Sequence, residues 1–150
     1  MAEAVSQFGG EEHFTSEPSR VYAVLTDLDT IAASIPDLVR AERIDTDTLK
    51  CVVRPGFSFL RGELKLAVTL SDLQPHESAR MHITAQGIGV GLKVESHLLI
   101  QPNGAGTKLT WQANVTEMKG LIASVSPGLI KAAANTVIRD AWKKSHERLG

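Results

Sequence analysis

From Val39 to Thr116 apolar and polar residues alternate with a period of two, and one long segment of helical period follows from Pro127 to about Arg148. Successive side chains of a strand point to opposite faces, so the alternation predicts a meander of antiparallel strands with one apolar and one polar face. The clearest stretch is Leu64-Lys65-Leu66-Ala67-Val68-Thr69-Leu70, with its apolar set on even numbers. Leu98 and Ile100 continue the pattern after Val94 and Ser96, and Leu109, Trp111, Ala113 and Val115 repeat it after the Pro102-Asn103-Gly104-Ala105-Gly106 turn. An apolar sheet face needs a cover, and the last segment supplies it. Ser126-Pro127 is a helix start, and Leu129, Ile130, Ala133, Ala134, Val137, Ile138, Ala141 and Trp142 form an apolar stripe. Lys131, Asn135, Arg139 and Lys143 oppose it. At about 1.5 Å per residue, roughly 22 residues give a helix of about 33 Å, long enough to cross a curved sheet.

Ahead of the meander, Gln7 to Phe14 carries two adjacent glycines and suits a first strand with a bulge or bend. Ser16 is placed to cap a helix with Glu17 and Pro18 in its first turn, whose face is Val21, Val24, Leu25 and Leu28. A second short helix begins near Asp29 or Thr30 and is stopped by Pro36. No internal repeat, low-complexity segment or linker divides the chain, so residues 1–150 read as one domain.

Composition excludes more than it assigns. Sixteen basic and 17 acidic side chains give a formal net charge of −1, which removes the electrostatic attraction that general nucleic-acid or membrane binding requires. Cys51 is the single cysteine and can form no internal disulfide, and Met1-Ala2-Glu3-Ala4 opens no signal segment. The expected compartment is the cytoplasm. No apolar run approaches the roughly 18 residues that a membrane-spanning helix needs.

The motifs that suggest chemistry have structural readings that fit better. Gly87-Ile88-Gly89-Val90-Gly91 is followed by strand rather than helix, so it reads as a hairpin or bend and not as a nucleotide loop. His13, His76, His82, His97 and His146 include no pair at helical metal-site spacing, and no metal is expected. His82 and His97 fall on the polar face, and His76 in a turn. Glu63 and Lys65 are out of phase with Leu64 and Leu66 and point to solvent. Arg54 and Arg61, flanking Pro55-Gly56-Phe57-Ser58-Phe59, are solvated or reach a cavity mouth. Ser96 is the polar residue in phase with an apolar strand face, available to a ligand or to backbone. Lys143, Lys144 and Arg148 complement the dipole at the helix end or form a docking patch for an acidic partner. Asn114-Val115-Thr116 matches a glycosylation pattern inside a strand. No catalytic constellation emerges.

One strand, two short helices, about six further strands and a long C-terminal helix is the order of the helix-grip, START or Bet v 1-like fold. This is an α+β architecture in which a curved antiparallel sheet of about seven strands wraps on the last helix. The segments Gly10 and Phe14, Pro18-Ser19-Arg20-Val21-Tyr22, Leu25-Thr26-Asp27 and Ile35-Pro36-Asp37 add detail, as do Ala85-Gln86-Gly87-Ile88-Gly89, Gly106-Thr107-Lys108-Leu109-Thr110-Trp111 and Lys119-Gly120-Leu121-Ile122. Together they resemble the carbon monoxide dehydrogenase G-subunit family of the SRPBCC superfamily. The resemblance implies a hydrophobic cavity between sheet and helix, and in some members a role in assembling a molybdenum hydroxylase or linking it to the membrane quinone pool. Members with the membrane role carry a C-terminal extension. This chain stops at Leu149-Gly150, so at most peripheral membrane contact is expected.

The expected function is noncatalytic binding or carriage of a small hydrophobic ligand, quinone- or lipid-like, with no cofactor. A molybdenum hydroxylase is the candidate partner, and nucleic acid is not one. Leu66, Val68, Ile83, Ser96, Leu98, Trp111, Ile130, Ala134 and Val137 are the expected ligand-binding residues. Two alternatives stay open: an enzyme of the polyketide cyclase or dehydratase kind, and an assembly factor whose cavity is filled by its own side chains.

Overall fold

Seven strands, all paired antiparallel, form one sheet in the order β1-β7-β6-β5-β4-β3-β2. The computed structural model describes residues 6–56 and 62–150. The strands are β1 (Ser6–Phe14), β2 (Leu38–Arg43), β3 (Thr48–Val53), β4 (Leu64–Gln74), β5 (Ser78–Gly87), β6 (Val90–Asn103) and β7 (Gly106–Gly120). Helices α1 (Pro18–Leu25) and α2 (Leu28–Ser34) follow β1, and a 3-10 turn at Leu121–Ser124 leads into α3 (Pro127–Leu149). The expected α+β helix-grip order is therefore present.

Register explains why the alternation had to be strict. Leu66 stands opposite Cys51 and Ala85, Val68 opposite Leu49 and Ile83, and Leu98 opposite Ala79 and Trp111. Directly opposed residues share a face, so a slip of one residue would turn the whole inner row outward. The β5–β6 hairpin closes through Ile88 and Gly89, both at positive φ (46° and 72°). This is the glycine-rich hairpin expected at Gly87–Gly91, with a two-residue turn matched to strand twist.

The helix ends differ from expectation at both short helices: α1 stops at Leu25, so Leu28, expected on its face, instead opens α2 after the N-cap residue Asp27. Ser16 does not cap α1: Glu17 is the N-cap residue, without a side-chain cap bond, and Pro18 opens the helix. The Ser16 hydroxyl instead donates to the Leu149 carbonyl at 2.6 Å, and the Thr15 amide donates to the Gly150 carbonyl at 3.0 Å. The last carbonyls of a helix lack internal partners, and here the β1–α1 connection supplies them, a contact across 133 residues of sequence for Ser16 and Leu149. Asp27 caps α2 through the Thr30 amide, and Ser126 caps α3 by accepting from the Leu129 amide.

Buried side chains fall into three groups. Phe14, Val21, Ile100, Leu109 and Leu149 pack where α1 and the end of α3 meet the sheet. Leu28, Leu49, Cys51, Val68 and Leu70 pack under α2. Val53, Leu64, Val90 and Ile122 pack at the end closed by the 3-10 turn. Between them, the inward residues Val94 and Ala113 and the α3 residues Ala133, Ala134 and Val137 are only half-buried and belong to none of the three.

Candidate functional site

The inner sheet surface brings the strand residues of the expected site together. Val68 stands beside Ile83, Ile83 beside Val94, and Leu98 beside Trp111, while Ser96 lies between Met81 and Ala113. Their surroundings differ. Val68 is 2% exposed and part of the packed group under α2. Leu66, Ile83, Leu98 and Ile130 are half-buried at the margins of the three groups. Ala134 and Val137 are half-buried on α3. Ser96 is half-buried and makes no side-chain hydrogen bond among the described residues.

A groove of about 660 Å³ runs between edge strand β1 and α3. Of the nine expected residues only Trp111 lines it. Its apolar surface comes from Phe8, Trp111, Ile138 and Trp142. The Trp111 ring lies over Gly10, where a Cβ would stand 3.2 Å from the indole, and its centroid is 5.9 Å from that of Trp142. The Trp111 indole N–H is buried without a hydrogen-bond partner among the described residues. At the other end His146 stacks on Phe14 at 4.4 Å, and its Nε2 lies 2.9 Å from the Glu12 carboxylate, tying α3 to β1. Lys131, Asn135, Arg139 and Lys143, expected to oppose the apolar stripe, border this groove.

Phe8, Glu12 and His146 were missed as site residues. Phe8 and Glu12 share the even phase of Gly10 and Phe14, so the β1 alternation carried the signal, but only α3 packing against β1 brings them beside His146.

The remaining polar residues lie outside this interior. His82 contacts the Ser71 hydroxyl at 3.0 Å and lies 3.8 Å from Glu95, His97 lies on the same outer face, and His76 sits in the β4–β5 turn. Glu63 and Lys65 are exposed, and Arg54 pairs with Glu63 at 3.2 Å rather than reaching inward. Arg61 and Phe57-Ser58-Phe59 lie outside the described residues. Lys144 pairs with Asp140 at 3.3 Å, and Arg148 is exposed. Asn114–Thr116 are within β7. Cys51 is buried, and desolvation pushes its thiol pKa up, the reverse of what a nucleophilic thiolate needs. Among the described residues no cluster of His, Cys, Asp and Glu could hold a metal ion. Among them, too, no helix is long and apolar enough to cross a membrane.

A seven-stranded antiparallel sheet with a long C-terminal helix and two short helices after the first strand defines a START/Bet v 1-like protein. Solved structures share this fold. A conserved protein from Geobacillus kaustophilus superposes with a TM-score of 0.87 at 19% identity, covering 95% of this chain and 94% of that one. A START superfamily protein from Mycobacterium smegmatis gives 0.70 at 14% identity, and Ara h 8.0201 gives 0.70 at 13%, each covering 95% of this chain and 96% of the other. No curated protein matches the sequence. The family model for the carbon monoxide dehydrogenase G subunit (CoxG) matches residues 10–150, and the chain belongs to that family.

Proposed function

We propose that the protein is a noncatalytic carrier of a small hydrophobic molecule, quinone- or lipid-like, held between the inner sheet face and α3. The observation that carries this reading is the division of the core into three packed groups around a half-buried centre. A filled interior would give one contiguous core at crystal-like density. Here Val94 and Ala113 on the inner sheet face and Ala134 and Val137 on α3 belong to none of the groups and keep part of their apolar surface uncovered. Ile83, Leu98 and Ile130 are partly uncovered around them, and such surface gains free energy from an apolar ligand at about 25 cal/mol per Å². The inward Ser96 hydroxyl, with no partner among the described residues, suits a single orienting hydrogen bond.

Family membership and the START-like fold support a ligand carrier, and the family's description supports a carbon monoxide dehydrogenase as the protein it serves, which in this proposal is of the molybdenum hydroxylase type. The test is native mass spectrometry of protein purified without detergent, followed by organic extraction and titration with quinones, fatty acids and isoprenoids. A retained or accepted apolar ligand is expected, and ligand at 100 times Kd should add about 2.7 kcal/mol to stability. If none of the three ligand classes changes the melting temperature or tryptophan fluorescence at saturation, the carrier reading is wrong.

A further inference from the structure

We infer that β2 is a self-association edge, at which two copies of this chain pair β2 with β2 antiparallel about a two-fold axis through Ala41. β2 ends the sheet order β1-β7-β6-β5-β4-β3-β2, so one side of it has no neighbouring strand. Its residues from Val39 to Arg43 are all exposed, Ala41 included. Val39 at 49% and Ile44 at 46% are large hydrophobic residues left exposed, and they bracket this edge.

Backbone phase decides which groups the edge offers. The Ile44 N–H donates to the Thr48 carbonyl at 2.9 Å, so Ile44 turns its backbone polar groups toward β3. These groups alternate sides along a strand, so Glu42 does the same, while Ala41 and Arg43 direct theirs to the open side. Antiparallel pairing through the open side then leaves Arg40, Ala41 or Glu42 as the residue on the axis. An axis at Arg40 or at Glu42 sets that residue opposite itself, and like charges directly opposed are destabilising. The axis at Ala41 sets Arg40 opposite Glu42 of the second copy, and symmetry repeats the pair. Both side chains lie on the outer face, beside Val52 and Lys50 of β3, and neither makes an ion pair among the described residues. Arg43 is paired with Asp29 at 3.6 Å and brings no free like charge to the axis. Charged residues on an edge strand ordinarily prevent pairing. Here their order around Ala41 is self-complementary, so they select one register instead of forbidding all. One short strand per copy makes a small interface, which belongs to the weak, concentration-dependent class. The edge lies at the end of the sheet away from the β1 groove, so the inference is independent of the carrier reading.

The test is sedimentation equilibrium of the full chain at low ionic strength, from low-micromolar to millimolar protein. The mass is expected to rise from 16.2 kDa toward twice that value. Arg40→Glu and Glu42→Arg each set like charges across the axis and should each weaken self-association at least tenfold, with melting temperature unchanged. Mixed in equal amounts, the two variants face each other with opposite charges at both pairs, and a heterodimer as tight as the wild-type dimer is expected. Ala41→Pro removes an N–H that only the second copy would use, and proline is tolerated on the open side of an edge strand. That variant should stay folded and monomeric; should it fail to fold, the charge variants decide alone. A wild type that remains at 16.2 kDa at every concentration overturns the inference, as do single reversals that leave association unchanged or a mixture that fails to associate. A folded Ala41→Pro that still dimerises overturns it as well.

Discussion

The rings of Trp111 on β7 and Trp142 on α3 lie 5.9 Å apart at an interplanar angle of 42°, so the sheet and its covering helix meet through two aromatic faces at the wall of the groove. Trp142 also sits 6.3 Å from Phe14, which connects the groove to the packed group at the end of α3. Aromatic pairs of this geometry contribute about 0.5–1.5 kcal/mol beyond the area they bury.

Gly10 lets the ring lie close to the strand, because a Cβ there would stand 3.2 Å from the nearest atoms of the Trp111 indole, a tight contact that the ring would have to relieve by shifting. Gly10→Val should push the ring out of place, shift the tryptophan emission and cost about 1–3 kcal/mol in chemical denaturation, the usual cost of overpacking. An unchanged emission spectrum and midpoint would show that the ring is not held against the strand.

Interior volume is tested by two tryptophan substitutions with opposite expected outcomes. Ile83 is half-buried at the margin of the packed group under α2, so Ile83→Trp should leave the melting temperature nearly unchanged and abolish binding of an apolar ligand. Val68, one strand away and 2% exposed, sits inside that group, and Val68→Trp should cost about 1–3 kcal/mol. A sharp loss of stability in Ile83→Trp as well would mean a filled interior, and the assembly-factor alternative would replace the carrier.

The clasp between the β1–α1 connection and the end of α3 predicts that Ser16→Ala costs about 1 kcal/mol, the typical worth of one hydrogen bond, by loss of the donor to the Leu149 carbonyl. Glu17→Ala, at the N-cap position but with no side-chain cap bond, should stay within about 0.5 kcal/mol. Urea midpoints of the two variants decide; the reverse order would return Ser16's role to α1.

Cys51 gives a pH dependence with a definite sign. Burial raises the folded thiol's pKa above its unfolded value, so its contribution to stability is complete below the unfolded pKa and is lost as pH rises through the folded one. Stability of the wild type relative to Cys51→Ala should therefore decline on the alkaline side, and alkylation of the native protein should be slow until it unfolds. Rapid stoichiometric labelling of folded protein under mildly alkaline conditions would contradict this burial.

Much of the fold was legible because it rests on local chemistry. Leu64 to Leu70 alternates, Ser126-Pro127 starts a helix, and Pro36 follows the end of α2, each by a rule acting within a few residues. The sequence by itself determined which residues of each strand turn inward, that one long helix must cover them, and the resemblance that the family match over residues 10–150 bears out. Tertiary structure alone decided what Ser16, Val68 and the cationic row of α3 do. Ser16 has a cap's sequence context, yet its hydroxyl finds Leu149, 133 residues away. Val68 and Ile83 are indistinguishable by phase, yet α2 packs over the first more fully than over the second. Lys131, Arg139 and Lys143 read as the face opposed to the apolar stripe because helical periodicity fixes direction around one axis only; the placement of α3 against the edge strand makes that face the wall of a groove.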